Sequence, residues 1–97
     1  MKGLRIHEAA RREANPATVW YAERSIPAAR RFRDDLLADF SGAADSPLRY
    51  PPYLHGTRRV VLQRFPYFIV FFDWQDEIYI VAIAHSKRRP GYWKKRV

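Results

Sequence analysis

Tyr67-Phe68-Ile69-Val70-Phe71-Phe72-Asp73-Trp74, then Gln75-Asp76, then Glu77-Ile78-Tyr79-Ile80-Val81-Ala82-Ile83-Ala84-His85: the reading of residues 67–85 decides the fold. β-Branched and aromatic residues fill both runs, which predicts two strands. The polar link between them is too short for anything but an antiparallel hairpin. A third strand, Arg59 to Phe65, precedes them across Pro66, so the second half of the chain reads as an antiparallel meander. Phe68 to Phe72 and Ile78 to Ala84 are apolar at successive positions instead of alternating, which requires both faces of the sheet to be covered.

Upstream, Leu4 to His7 has the length of a short strand, and Glu8 to Ser25 is rich in Ala, Arg and Glu and reads as helix. Asn15-Pro16 offers either a helix start or a kink within this segment. Ser25-Ile26-Pro27 is a second start signal, after which Phe32, Leu36, Leu37 and Phe40 recur at spacings of three and four on one stripe. Ser41-Gly42 ends that helix, and the proline-punctuated stretch from Asp45 to Gly56 is a long loop. The order is β-α-α-β-β-β: an α+β fold, residues 1–97 as one domain, with a short N-terminal strand and a helical hairpin packed on an antiparallel sheet. Phe32, Leu36, Leu37, Phe40, Val61, Phe68, Val70, Phe72, Ile80 and Ile83 are the expected core. Two helices cover one sheet face, so the other is expected to present an apolar patch to a protein partner.

The 97 residues carry a formal charge of +8. Residues 1–50 hold nine Lys/Arg against seven Asp/Glu, and residues 51–97 hold nine against three, so the C-terminal half faces something anionic. Any such contact weakens steeply with salt. The absence of cysteine removes disulfides and thiolate metal sites. Met1 to Glu8 lacks the apolar region of a secretory signal, and no run has the ~18 apolar residues of a spanning helix, so a cytoplasmic protein without membrane contact is expected. His7, His55 and His85 have no carboxylates at ligand spacing, and Gly56-Thr57-Arg58 lacks the glycines of a phosphate loop; neither metal nor cofactor is implied.

After His85 the chain runs Ser86-Lys87-Arg88-Arg89-Pro90-Gly91-Tyr92-Trp93-Lys94-Lys95-Arg96, six cations and two large aromatics without an acid. A basic chain end alone reads as a hydrated tail. Tyr and Trp argue for something more ordered, because burying them is what drives chains to fold. In a nucleic-acid binding module Arg88, Arg89, Lys94 and Lys95 would contact phosphate while Tyr92 or Trp93 stacks on a base. Tyr92 and Trp93 could equally dock as a short terminal helix closing the core, with Pro90 in its first turn.

The element order, together with Ala82-Ile83-Ala84-His85, Arg88/Arg89, Pro90, Tyr92-Trp93 and Arg96, resembles the RelE/ParE superfamily of bacterial toxins. Arg64-Phe65-Pro66-Tyr67 is similar to its hairpin signature. Arg59, and Ala10, Glu13, Ala17 and Trp20-Tyr21 in the first helix, are weaker matches. The resemblance implies a growth-arresting toxin of a type II toxin-antitoxin pair, neutralised by a cognate antitoxin that wraps it and supplies most of the DNA contact. RelE-like members cut messenger RNA on the ribosome, whereas ParE-like members poison DNA gyrase, and fold alone does not separate them.

RNA cleavage by 2′-hydroxyl attack needs a base, an acid and cations around the phosphorane. Under that alternative His85, Arg89 and Tyr92 are the catalytic candidates. His85, placed in phase with Tyr79, Val81 and Ile83, also reads as a sheet-edge residue satisfying a hydrogen bond. RelE-like nucleases use lysines near the first central strand, yet residues 48–59 contain none. The Pro90-Gly91-Tyr92-Trp93 ending looks more like the ParE-like groups, which favours a gyrase inhibitor. Its target contacts would then come from Arg59, Arg88, Arg89, Tyr92, Trp93, Lys94 and Lys95.

Overall fold

In the computed structural model, which describes residues 2–97, Ser25 joins two helices, α1 (Glu8–Arg24) and α2 (Ile26–Asp45). Its Oγ accepts from the Ala28 N–H at 3.2 Å, and its own N–H donates to the Tyr21 carbonyl at 2.7 Å. One residue thus closes the first helix and caps the second, with Pro27 in the first turn as expected. His7 caps α1, its Nδ1 accepting from the Ala9 N–H at 3.0 Å. Pro16 neither starts nor ends a helix, because α1 runs through it. Burial of Ala10 and Ala17 on one side of α1 offsets the hydrogen bond that proline removes. Ser41-Gly42 does not stop α2 either: Ala43 and Ala44 beyond it are buried. Gly42 serves a different need, since a Cβ there would overlap the Tyr50 hydroxyl.

Four strands follow the order β1-β4-β3-β2 across one sheet: β1 (Gly3–Ile6), β2 (Arg58–Val61), β3 (Tyr67–Trp74) and β4 (Glu77–His85). β2, β3 and β4 form the expected antiparallel meander. β1 joins parallel to β4, Gly3 opposite Glu77 and Ile6 opposite Ile80, which makes the sheet mixed. Val70 pairs with Ala82 but Phe71 pairs with Ile80, so Val81 is an extra residue, a β-bulge. The bulge changes which side chains point where. Ile78 and Ile80 face the helices before it, and Ile83 and His85 face them after it. His85 is therefore in phase with Ile83 but not with Tyr79.

The helix-side core brings Phe32, Leu36 and Phe40 of α2 onto Val60, Leu62, Ile69, Phe71, Ile78, Ile80 and Ile83. Tyr21, Phe32, Phe65 and Tyr67 close one end of it, with ring centroids 5.0–5.3 Å apart. Three expected core residues fall outside. Leu37 is 50 % exposed on the outer side of α2. Val61 is 59 % exposed, because β2 turns Val60 and Leu62 inward instead. Phe72 is half-buried, stacked on Tyr79 at 4.9 Å.

The second sheet face is not left open for a partner. Phe68, Val70, Val81, Ala82 and Ala84 are buried beneath the chain's own Trp93, which is 1 % exposed, with Tyr53 and Tyr92 alongside. His55 and Gly56, both at positive φ, turn the loop back so that the His55 ring meets Trp93 edge-on at 5.7 Å. Gly91, at φ 78°, lets the C-terminal segment pass close to that imidazole.

Candidate functional site

β1 ends at Ile6 and the chain turns into α1, so the outer edge of β4 beyond Ile80 has no neighbouring strand. Side chains complete it. Glu13 of α1 accepts from the Ile83 N–H at 3.0 Å, and the Arg96 guanidinium donates to the Val81 carbonyl at 3.2 Å. Glu13 and Arg96 also pair with each other, at 2.9 and 3.2 Å, both largely buried. Tyr92 is a third residue that donates to Glu13, through its hydroxyl. This clamp ties the C-terminal segment across the edge of the sheet to the first helix.

Tyr92 is thereby committed. Burial first, and then its hydrogen bond to Glu13, raise the phenol pKa well above its ordinary value near 10. Arg88 lies over one part of its ring, 3.8 Å from the centroid, and Arg96 is 5.2 Å away. A phenol held protonated in this way is a poor proton acceptor. Because folding raises the pKa, the associated stability is fully present below the ordinary phenol value and fades as pH rises through the folded one. We expect the urea midpoint to fall above about pH 10, and Tyr92→Phe to flatten that alkaline limb in a titration from pH 7 to 11. An unchanged limb would remove Tyr92 as its source. Tyr21 and Tyr67, raised chiefly by burial, titrate on the same side.

His85 sits at the end of β4 on the helix side, its ring edge against Tyr67 at 5.0 Å. Its Nδ1 accepts from the Lys87 N–H at 3.1 Å, which assigns a neutral ring the Nε2–H tautomer. Arg59 lies on the opposite face of the sheet, 4.5 Å from the Tyr53 ring and 5.4 Å from Phe68. Arg89 is exposed beyond both. The residues named for phosphate chemistry are therefore divided between the two sides of the sheet. Trp93, expected as a target contact, is core: its side chain fills the second face and has no surface to offer. Arg88, Arg89, Lys94 and Lys95 are exposed and gather at the C-terminal end, with Lys87 beside them.

Glu13 escaped the site reading. It is the first helix's one acid on the buried side, and its partner Arg96 lies 83 residues away, a separation that no local pattern reports. Among the described residues no group of three or more His, Cys, Asp or Glu side chains could hold a metal ion, and no helix is long and apolar enough to cross a membrane.

Residues 4–90 match the family described as the ParE toxin of type II toxin-antitoxin system, parDE. A solved structure described as the chromosomal ParDE TA system from P. aeruginosa superposes with a TM-score of 0.74 at 20 % identity, covering 88 % of this chain and 96 % of that one. At that identity the likeness is one of fold. No curated protein matches. The match stops short of Tyr92, Trp93 and Arg96, but it takes in both helices and all four strands. On that span the chain belongs to the ParE toxin family of type II toxin-antitoxin systems.

Proposed function

We propose that this protein is a growth-arresting toxin that inhibits DNA gyrase by binding it in the cytoplasm, and that a cognate antitoxin neutralises it. One observation carries the choice of binding over RNA cutting: His85 and Arg59 face opposite sides of the sheet, while the Tyr92 phenol is held by Glu13. The residues named for cleavage therefore do not come together as free base, acid and cation on one point where a phosphorane could sit. The exposed cations Arg88, Arg89, Lys94 and Lys95 supply the target contact, with Arg59 at the margin.

The antitoxin needs a surface other than the second sheet face, which Trp93 fills. A groove of about 510 Å³ opens between α1 and α2 over Ala10, Ala14, Phe40 and Ile83. Val19 and Leu37 stand exposed on its sides, and Arg11 and Arg33 are its charged lining residues. An apolar trough with cationic flanks suits an amphipathic segment bearing acids, the pattern expected of an antitoxin for a chain of charge +8.

The test uses purified protein, free of antitoxin, in two parallel assays: gyrase supercoiling with cleavage-complex formation, and messenger RNA cutting on programmed ribosomes. Inhibited supercoiling with intact message is expected; message cut on ribosomes overturns the proposal. Replacing Arg88, Arg89, Lys94 and Lys95 together by alanine should weaken gyrase inhibition at least about tenfold. Because all four are exposed, each should change stability by no more than about 0.5 kcal/mol. A matching loss of melting temperature would make them structural instead.

A further inference from the structure

A cleft of about 440 Å³ lies between α1 and the end of the β3–β4 hairpin, and a smaller lobe of about 230 Å³ adjoins it. Both are lined by Glu13, Pro16, Tyr67 and His85, so they lie side by side against the same four side chains. The larger lobe has flat walls. Pro16 and Pro66 line it, as does Trp20, 51 % exposed with the Arg24 guanidinium 3.6 Å from its ring centroid. The phenols of Tyr21 and Tyr67 have raised pKa values through burial, with no hydrogen bond contributing. His85 adds the Nε2–H left free by its bond to Lys87.

The smaller lobe differs in charge. Arg12 and Arg88 line it. Arg12 has only a loose exposed contact to Glu8 at 3.6 Å, and Arg88 rests on the Tyr92 ring. Glu13, the one acid between the lobes, is already satisfied by Arg96, Tyr92 and the Ile83 N–H, so its charge is offset inside the fold. Pro16 also has no N–H to give the Arg12 carbonyl, so the helix lacks one backbone hydrogen bond at the residue that lines the smaller lobe.

We propose that this cleft binds a nucleotide, the base between Trp20 and Tyr67 and the phosphate at Arg12 and Arg88. A planar ring finds aromatic and proline surfaces to stack on, and its polar edge meets two phenols and an imidazole that have bonds to make. The anion finds guanidinium groups able to grip it in bidentate fashion. The proposal is one of binding, with no bond made or broken there. The site shares Arg88 with the proposed gyrase contact but does not rest on that reading, which can fail while this one stands. A free nucleotide and the phosphorylated end of a single strand share the chemistry and are separated by experiment.

The test is a titration of the isotopically labelled full chain, followed by amide chemical shifts. The probes are adenosine monophosphate, adenosine, inorganic phosphate, phenyl phosphate and a 5′-phosphorylated deoxyadenosine pentanucleotide. Adenosine monophosphate is expected to saturate, shifting residues around Trp20, Tyr67 and His85, and to bind about tenfold or more tightly than adenosine or phosphate alone. Trp20→Ala and Arg88→Ala should each weaken it by about tenfold, and Arg30→Ala, an exposed cation outside the cleft lining, by less than about twofold. Tyr67→Phe, which keeps the ring, gives a second variant that tests the phenol without opening the core. Pentanucleotide binding of equal or greater strength, with the same sensitivity to the variants, identifies a strand end; binding of the mononucleotide alone identifies a free nucleotide. Absence of saturation, affinity unmoved by Trp20→Ala and Arg88→Ala, or phenyl phosphate binding as well as the nucleotide overturns the proposal.

Discussion

Trp93→Ala is expected to cost about 3 to 5 kcal/mol and to lower the melting temperature by more than about 10 °C. Trp93 is the largest fully buried side chain among the described residues, and it packs over Phe68, Val70, Val81, Ala82 and Ala84 with the half-buried Tyr53 and Tyr92 at its flanks. Removing the indole opens a cavity over those five residues and exposes part of their surface to water. A domain of this size has a margin of only about 5 to 15 kcal/mol, so the loss is a large part of it. Trp93→Phe should cost much less than its lost volume suggests, because the indole N–H is buried without a hydrogen-bond partner and its removal relieves that cost. Thermal melts followed by circular dichroism decide the matter. A loss below about 1 kcal/mol for the alanine variant would mean that the C-terminal segment rests on the sheet without stabilising it.

Glu13→Ala should be nearly as damaging, at about 3 to 5 kcal/mol, for a different reason. It strands the Arg96 guanidinium, the Tyr92 hydroxyl and the Ile83 N–H together in a place where water reaches poorly. Arg96→Met keeps most of the volume and leaves Glu13 with two of its donors, so it should cost less. The double variant Glu13→Leu with Arg96→Met should recover part of the loss, since a buried pair replaced by apolar groups of similar size is often close to neutral. Urea denaturation of the parent protein, Glu13→Leu, Arg96→Met and the double variant closes a double-mutant cycle. Simple additivity would show that the two side chains do not act as a unit.

Where signals are local, the sequence was readable. Ser25-Ile26-Pro27 announces a helix start in three residues, and the runs on either side of Gln75-Asp76 leave a hairpin as the one connection that fits. The features that escaped depend on groups far apart. The parallel pairing of Gly3–Ile6 with Glu77–Ile80 has no trace in either segment alone. The bulge at Val81 involves no glycine or proline, yet it moves His85 to the helix side and separates it from Arg59. Charge density pointed the C-terminal segment outward while its aromatics left docking on the core open, and its cations Arg88, Arg89, Lys94 and Lys95 are exposed. Trp93 turned inward because Tyr53 and His55, some forty residues earlier, build the other wall of its pocket. Helix α2 passed through Gly42 because Tyr50 packs there, which no helix-stop rule could register.

The parallel β1–β4 pairing also dictates the order in which the molecule can come into being. Its first strand has no partner until residues 77–80 exist, and the second sheet face has no cover until Trp93 does. The helical hairpin can form early from contacts within its own stretch, but the sheet must wait for closure across more than seventy residues. During synthesis the emerging chain therefore holds a helical hairpin without its floor. The finished shape, and any harm it does to the cell that makes it, arrives only after the ribosome has released the last strand and the turn that follows it.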